Sequence, residues 1–300
     1  MRALVLGATG YIGSVVAERL QATGHDVVAM VRPDGDGVEA APDVPVVAGD
    51  LTDPESLTAA VTDDIDAVVH VATPTGDEAT DLAAISALLA PLRNTGRALI
   101  YTSGVWVLGA TAGRVAEETT PANPIPLVAY RPRIEAAVLD AAGAGVRSVV
   151  LRPGIAHGRG AGIPSMLVGW AQEHGEGTYV GEPDVRWPMV HVDDLADLFV
   201  AALERARPGA VLHGVAEIGV PAAALAEAAA ASAGVGGRVT GRSVQEMAAT
   251  IGAPFAEALA LDQVVSSERT REAVGWSPTR SDAVTDIRNG SYAGALKAAS

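Results

Sequence analysis

Gly7, Gly10 and Gly13 stand at three-residue spacing directly after the apolar run Leu4-Val5-Leu6. Glycines so placed suit one task, which is to present bare backbone N–H groups to a diphosphate. Gly7 permits the tight turn, Gly10 lets the backbone approach a pyrophosphate that a side chain would block, and Gly13 allows the next helix to lie close on the strand. That helix, running to about Thr23, points the positive end of its dipole at the same phosphates. A strand-to-helix connection without a ligand also uses glycine, but the position of this triplet between an apolar strand and an amphipathic helix favours a dinucleotide. Thr9, Tyr11 and Ile12 belong to the same segment and count with Gly7 and Gly10 as cofactor contacts.

Such a turn needs a sheet to hold it. Short β-rich runs at 3–6, 26–31, 44–48, 66–71, 97–102 and 148–151 alternate with helical patterns near 11–23, 54–62, 79–93 and 130–142. Parallel strands joined by right-handed helical crossovers are the economical solution, giving an α/β, doubly wound Rossmann sheet. Beyond Arg152 the alternation loosens. A helix near 163–173, short strands around 178–190, a long helix from Asp193 and helices near 221–234, 253–260 and 281–290 predict a smaller, mostly helical C-terminal lobe. The expected division is 1–152 as dinucleotide-binding core and 153–300 as mainly substrate lobe, with 191–215 returning to the core. Open α/β sheets bind ligands beyond the carboxyl ends of their strands, so substrate is expected between the two parts.

Bulk properties narrow the function. Three hundred residues, 49% of them hydrophobic, suffice for a large core, and a formal charge of −15 argues against a polyanionic partner such as nucleic acid. With no Cys there is neither a disulfide framework nor a thiolate metal site, which fits a reducing cytoplasm. The start reads as strand and turn rather than signal peptide, and the Ala-rich run 222–233 is too short and interrupted to span a bilayer. No metal-binding spacing is evident, so none is expected.

The second strand ends Met30-Val31-Arg32-Pro33, with Arg where NAD-binding units carry an acidic residue. An Arg there suits a 2′-phosphate, so NADP is favoured and NAD remains an alternative through Asp34 or Asp36. Asp50, followed by Leu51, stands where a carboxylate meets the adenine amino group, and Asp50-Leu51-Thr52-Asp53-Pro54 reads equally as a turn into a helix cap. Val71, Ala72 and Thr73 end the next strand with small residues past which a ribose can lie.

Several ordered motifs together resemble the extended short-chain dehydrogenase/reductases, also called the NAD-dependent epimerase/dehydratase family. They are Gly7-Ala8-Thr9-Gly10-Tyr11-Ile12-Gly13, Gly49-Asp50-Leu51-Thr52, Tyr101-Thr102-Ser103-Gly104 with Gly109, Leu151-Arg152-Pro153-Gly154, His191-Val192-Asp193-Asp194-Leu195-Ala196 and Gly275-Trp276-Ser277-Pro278. The resemblance spans nearly the whole chain. It implies a bound nicotinamide cofactor lined by Tyr101, Tyr130, Pro153, Gly154 and Ile155, and often a homodimer.

Chemistry in that family rests on a Ser or Thr after the fifth strand, a Tyr, and a Lys four residues later that lowers the phenol's pKa. Here Tyr130 stands at the Tyr position, but Ile134 replaces the Lys. Arg133 lies within one turn and is able to supply positive charge, although a guanidinium is no simple substitute. Pro132 belongs in a first turn, which predicts Tyr130 just outside the helix. Counting back from Gly109, the active hydroxyl falls at Gly104, leaving Ser103 and Thr102 as candidates. His157 replaces a common aromatic and is a candidate acid, or else a hydrogen-bonded structural residue.

Trp106, Met166 and His157 are candidates for the substrate wall, and Arg186 corresponds to an Arg that relatives use near anionic substrates. No basic cluster accompanies Arg186, so a small or moderately apolar carbonyl compound is preferred to a sugar nucleotide. The leading expectation is an NAD(P)-dependent, carbonyl reductase-like oxidoreductase with Tyr130 as proton donor and Ser103 or Thr102 polarising the oxygen. Two others stand beside it: a non-redox or epimerase/dehydratase-type enzyme on the same scaffold, and an NADP-sensing binding protein without turnover.

Overall fold

A computed structural model describes residues 1–33 and 44–293. Its strands are β1 (Arg2–Leu6), β2 (Asp26–Val31), β3 (Val46–Ala48), β4 (Ala67–His70), β5 (Ala98–Thr102), β6 (Arg147–Pro153), β7 (Ile155–His157), β8 (Gly177–Val180), β9 (Arg186–His191), β10 (Ala210–Gly214), β11 (Glu217–Pro221) and β12 (Val239–Arg242). The helices are α1 (Tyr11–Ala22), α2 (Pro54–Ala60), α3 (Glu78–Leu89), α4 (Arg131–Asp140), α5 (Ile163–His174), α6 (Val192–Arg205), α7 (Ala222–Ser232), α8 (Val244–Ile251), α9 (Ala253–Leu259), α10 (Glu268–Val274) and α11 (Ala283–Asn289).

The central sheet has seven parallel strands in the order β10-β6-β5-β4-β1-β2-β3. Both faces are covered, which is why β1 and β4 are buried along nearly their whole length and read as continuous apolar runs. One face packs with α1 and α6, around Val5, Val16, Ile100 and Phe199; the other packs with α2, α3 and α4, around Leu4, Leu57, Leu88 and Ile134. Strand order reverses between β1 and β4, so their carboxyl ends open the crevice that this architecture uses for ligands.

The rest is less purely helical than the sequence predicts. Helices α5, α7, α9 and α11 share a third core around Trp187 and Tyr179, but this part also carries a three-stranded sheet, β11-β9-β7, and a two-stranded one, β12-β8. The strands expected around 178–190 are β8 and β9, whereas β7, β11 and β12 are short, and β12 contains Gly241 and Arg242, so no period-two apolar pattern announces these three. At the start of α6 the cap is His191, whose Nδ1 accepts from the Asp193 N–H at 3.2 Å. Among the described residues no helix is long and apolar enough to cross a membrane.

Candidate active site

The glycine turn has the shape its spacing predicts. Gly7 lies at φ +80°, and a Cβ there would meet the Ala72 backbone at 2.7 Å, so the turn after β1 touches the end of β4. At Gly13 a Cβ would come within 1.9 Å of the Gly7 carbonyl oxygen, which forces a glycine wherever helix and turn pack this closely. Gly10 caps α1 without a side-chain hydrogen bond, leaving first-turn N–H groups free for an anion. Thr9 and Gly10 are exposed, while Tyr11 and Ile12 are half-buried.

Farther along the same edge, Arg32 is exposed at the end of β2, and Asp50 accepts from the Thr52 N–H and Oγ1, each at 2.7 Å. These bonds, with the Arg32 charge adding to them, hold the Asp50 carboxyl below the usual carboxylate range. Asp53, not Asp50, caps α2. The alternative acidic residues Asp34 and Asp36 lie outside the described residues.

Near the ends of β4 and β5, Tyr130, Asp81 and Arg131 come together. Tyr130 is the N-cap residue of α4, just outside the helix, with Pro132 in the first turn. Its phenol donates to Asp81 Oδ2 at 2.6 Å. Asp81, in the first turn of α3 and only 7% exposed, also accepts at Oδ1 from the Thr75 N–H at 3.0 Å and Thr75 Oγ1 at 2.8 Å. Burial first, and then this hydrogen bond and the Asp81 charge, push the Tyr130 phenol up to about 12, the opposite of what a neighbouring Lys would do.

The position expected for that Lys, Ile134, is 0% exposed and sits in the core. Arg133 does not replace it, because its side chain is 68% exposed and its guanidinium pairs with Glu78 at 2.6 Å. The cation that faces the site is Arg131, which donates to the Thr102 carbonyl at 3.3 Å and whose charge acts on Tyr130, Tyr101 and His70. The Thr102 and Ser103 hydroxyls are buried at the end of β5 with no hydrogen-bond partner among the described residues. Beside them a Cβ on Gly104 would meet nothing within 4 Å.

Other expectations need correction. Tyr101 is 3% exposed and packs in the core on the α3–α4 side, edge-on to His70 at 5.5 Å, so it does not line an open cleft. His157, 0% exposed, is enclosed rather than facing substrate, with its Nδ1 3.0 Å from Asp286 Oδ2. It groups with His191 and Asp286, one potential ligand atom of each lying within 4.8 Å of the others, a juxtaposition no sequence spacing reveals. Arg186 pairs with Asp262 through Nε at 2.9 Å and Nη2 at 2.8 Å, bonds that raise its pKa and tie two of its three nitrogens to a carboxylate. Trp106 and Met166 are half-buried against the third core, Trp106 edge-on to Phe255 at 6.2 Å. Val71 and Ala72 are half-buried and Thr73 exposed beside the glycine turn, whereas Pro153, Gly154 and Ile155 are buried.

Asp81 and Arg131 were not singled out from sequence. An acid in a first helical turn reads as an ordinary dipole partner, and only the absence of the Lys at Ile134 signalled that another charge had to be sought.

A model of the NAD dependent epimerase/dehydratase family matches residues 3–219. An uncharacterised protein of Schizosaccharomyces pombe is 35% identical over 307 residues, covering 97% of this chain and 100% of its own length. Another, of Saccharomyces cerevisiae, is 30% identical over 307 residues, covering 96% and 98%. Among solved structures, the UDP-glucose 4-epimerase of Thermus thermophilus in complex with NAD superposes with a TM-score of 0.80 at 23% identity, covering 98% of this chain and 100% of that one. A human epimerase family protein solved with NADPH gives a TM-score of 0.76 at 23% identity, covering 97% and 99%.

Proposed function

This chain belongs to the NAD dependent epimerase/dehydratase family, and from that premise we propose that it is an NADP(H)-dependent oxidoreductase, with NAD(H) an alternative, that interconverts a small or moderately apolar carbonyl compound and its alcohol. The observation that carries the reading is the pair of partnerless buried hydroxyls, Thr102 and Ser103, at the end of β5 where Tyr130 and Arg131 start α4. Buried hydroxyls left unpaired are costly, and in this reading a substrate oxygen would satisfy one of the two.

The turn Gly7–Gly13 and the free N–H groups of α1 fit a dinucleotide diphosphate, and Arg32 fits a 2′-phosphate. When bound, the nicotinamide supplies or accepts hydride. The chain's own contribution is polarisation and proton handling: Thr102 or Ser103 hydrogen-bonds the oxygen on which charge changes, Arg131 adds positive potential, and Tyr130 exchanges the proton. The pairing of Arg186 with Asp262 neutralises the charge that a sugar-nucleotide phosphate would seek, which supports an uncharged substrate.

Tyr130→Phe tests this. It should bind nucleotide as the native protein does while turnover of aldehydes and ketones, followed by NADPH consumption, falls roughly 10²-fold or more. Unchanged turnover would refute the assignment. Conversion of substrate with no net change in nucleotide would favour epimerase- or dehydratase-type chemistry, the reading to which the family name points.

A further inference from the structure

Tyr130 has its proton directed at a carboxylate. The phenol-to-Asp81 bond is 2.6 Å, Asp81 is nearly enclosed, and its other oxygen is fixed by two bonds from Thr75. The charged and titratable groups facing this pair are Arg131 from α4, His70 from β4 and Tyr101 from β5. A Tyr assisted by Lys works because the cation makes phenolate accessible. Here burial and the carboxylate make it inaccessible, so the phenol oxygen can accept a proton only if it loses its own in the same event.

We propose that Asp81 is the terminal proton acceptor of the site, coupled to substrate through Tyr130. The inference rests on the hydride-transfer reading above. In the alcohol-oxidising direction the substrate O–H bond breaks and its proton passes to the Tyr130 oxygen, while the Tyr130 O–H proton passes to Asp81 Oδ2. The carbinol C–H bond breaks with its electron pair leaving as hydride for an oxidised nicotinamide dinucleotide, and the C–O bond becomes C=O. Asp81 then releases its proton to water. Reduction runs the same path backwards and starts with the proton on Asp81. Asp81 is a positioning residue toward substrate, since it acts through the phenol.

Two signatures separate this relay from a merely structural Asp81. The first needs no substrate: ultraviolet phenolate absorbance, with Tyr130→Phe as the blank, should show Tyr130 of the native protein resisting ionisation up to about pH 12 and Asp81→Asn ionising it earlier. Identical transitions would overturn the proposal. The second uses NADP+ with cyclohexanol and 1-phenylethanol. Native turnover should be level from neutral to alkaline pH, whereas Asp81→Asn should lose roughly 10²-fold at neutral pH, with unchanged NADP+ affinity, and recover as pH rises and the phenol ionises unaided.

If Asp81→Asn does not fold, a proton inventory on the native protein decides: a curved dependence of rate on deuterium fraction marks two protons in flight, and a linear one overturns the relay. Loss of turnover in Tyr130→Phe with an unaltered profile in Asp81→Asn would refute Asp81 alone. Full turnover in Tyr130→Phe would instead refute the function on which it rests.

Discussion

His70 ends β4 with its Nδ1 buried and unpartnered, edge-on to Tyr101. Burial first, and the Arg131 charge after it, hold its pKa down to about 4 against an ordinary 6.5. The unfolded chain therefore takes up a proton below about 6.5 that the folded chain refuses until about 4. Stability linked to His70 is present above that window and is lost as pH falls through it, by about 3 kcal/mol. Urea unfolding of His70→Phe, which keeps an edge-on ring contact with Tyr101, should show a shallower loss between neutral and mildly acidic pH than the native protein; the same acid dependence in both would contradict this account. The same residue bears on chemistry, because a neutral His70 leaves Arg131 as the cation beside Tyr130.

Between β6 and α4, Arg152 and Glu135 form a buried two-pronged ion pair, Nε to Oε1 at 3.0 Å and Nη2 to Oε2 at 2.6 Å. It fixes the helix that carries Tyr130 to the strand beside β5. Removing one partner strands the other charge, so Glu135→Ala should cost about 3–5 kcal/mol in chemical unfolding, far more than the roughly 0–1 kcal/mol of an exposed pair such as Arg133–Glu78. A loss below about 1 kcal/mol would mean the pair is hydrated.

Elements of this kind also show how far a sequence can be read. The first six strands were legible because their apolar runs alternate with helical periods, with glycine or capped turns between them as at Gly7 and Asp53. Strand β10 was not, since Ala210–Gly214 ends in His213 and Gly214 and lies at the edge of the sheet, paired only with β6. The glycine turn could be found from spacing, and Tyr130 from the resemblance to the family. The Asp81 partner could not, because residues 49 apart meet only once α3 and α4 pack together.

On the scale of the molecule, the C-terminal segment is tied back to the nucleotide end. Tyr292 donates from its hydroxyl to the Ala161 carbonyl at 2.7 Å and accepts from the Gly158 N–H at 2.9 Å, while Tyr11 donates to the Gly158 carbonyl at 2.9 Å. His157 with Asp286 and Trp276 with the Asp194 carbonyl, at 2.8 Å, secure the same junction. The 158–162 loop thus seats Tyr11 on the dinucleotide turn without itself being part of it. Tyr292→Phe, which loses hydrogen bonds of about 1 kcal/mol each, should weaken NADPH binding several-fold though Tyr292 lies outside the glycine turn. Unaltered affinity would show that the junction and the turn are independent.

The central claim is that backbone amides at the start of α1 and the Arg32 guanidinium hold a nicotinamide dinucleotide. Calorimetric titration of the protein with NADP+, NADPH, NAD+ and NADH, alongside Arg32→Ala, tests it most directly. Saturable binding, tighter for the 2′-phosphorylated pair and losing that preference roughly tenfold in Arg32→Ala, is the predicted result. Absence of binding by all four would contradict it.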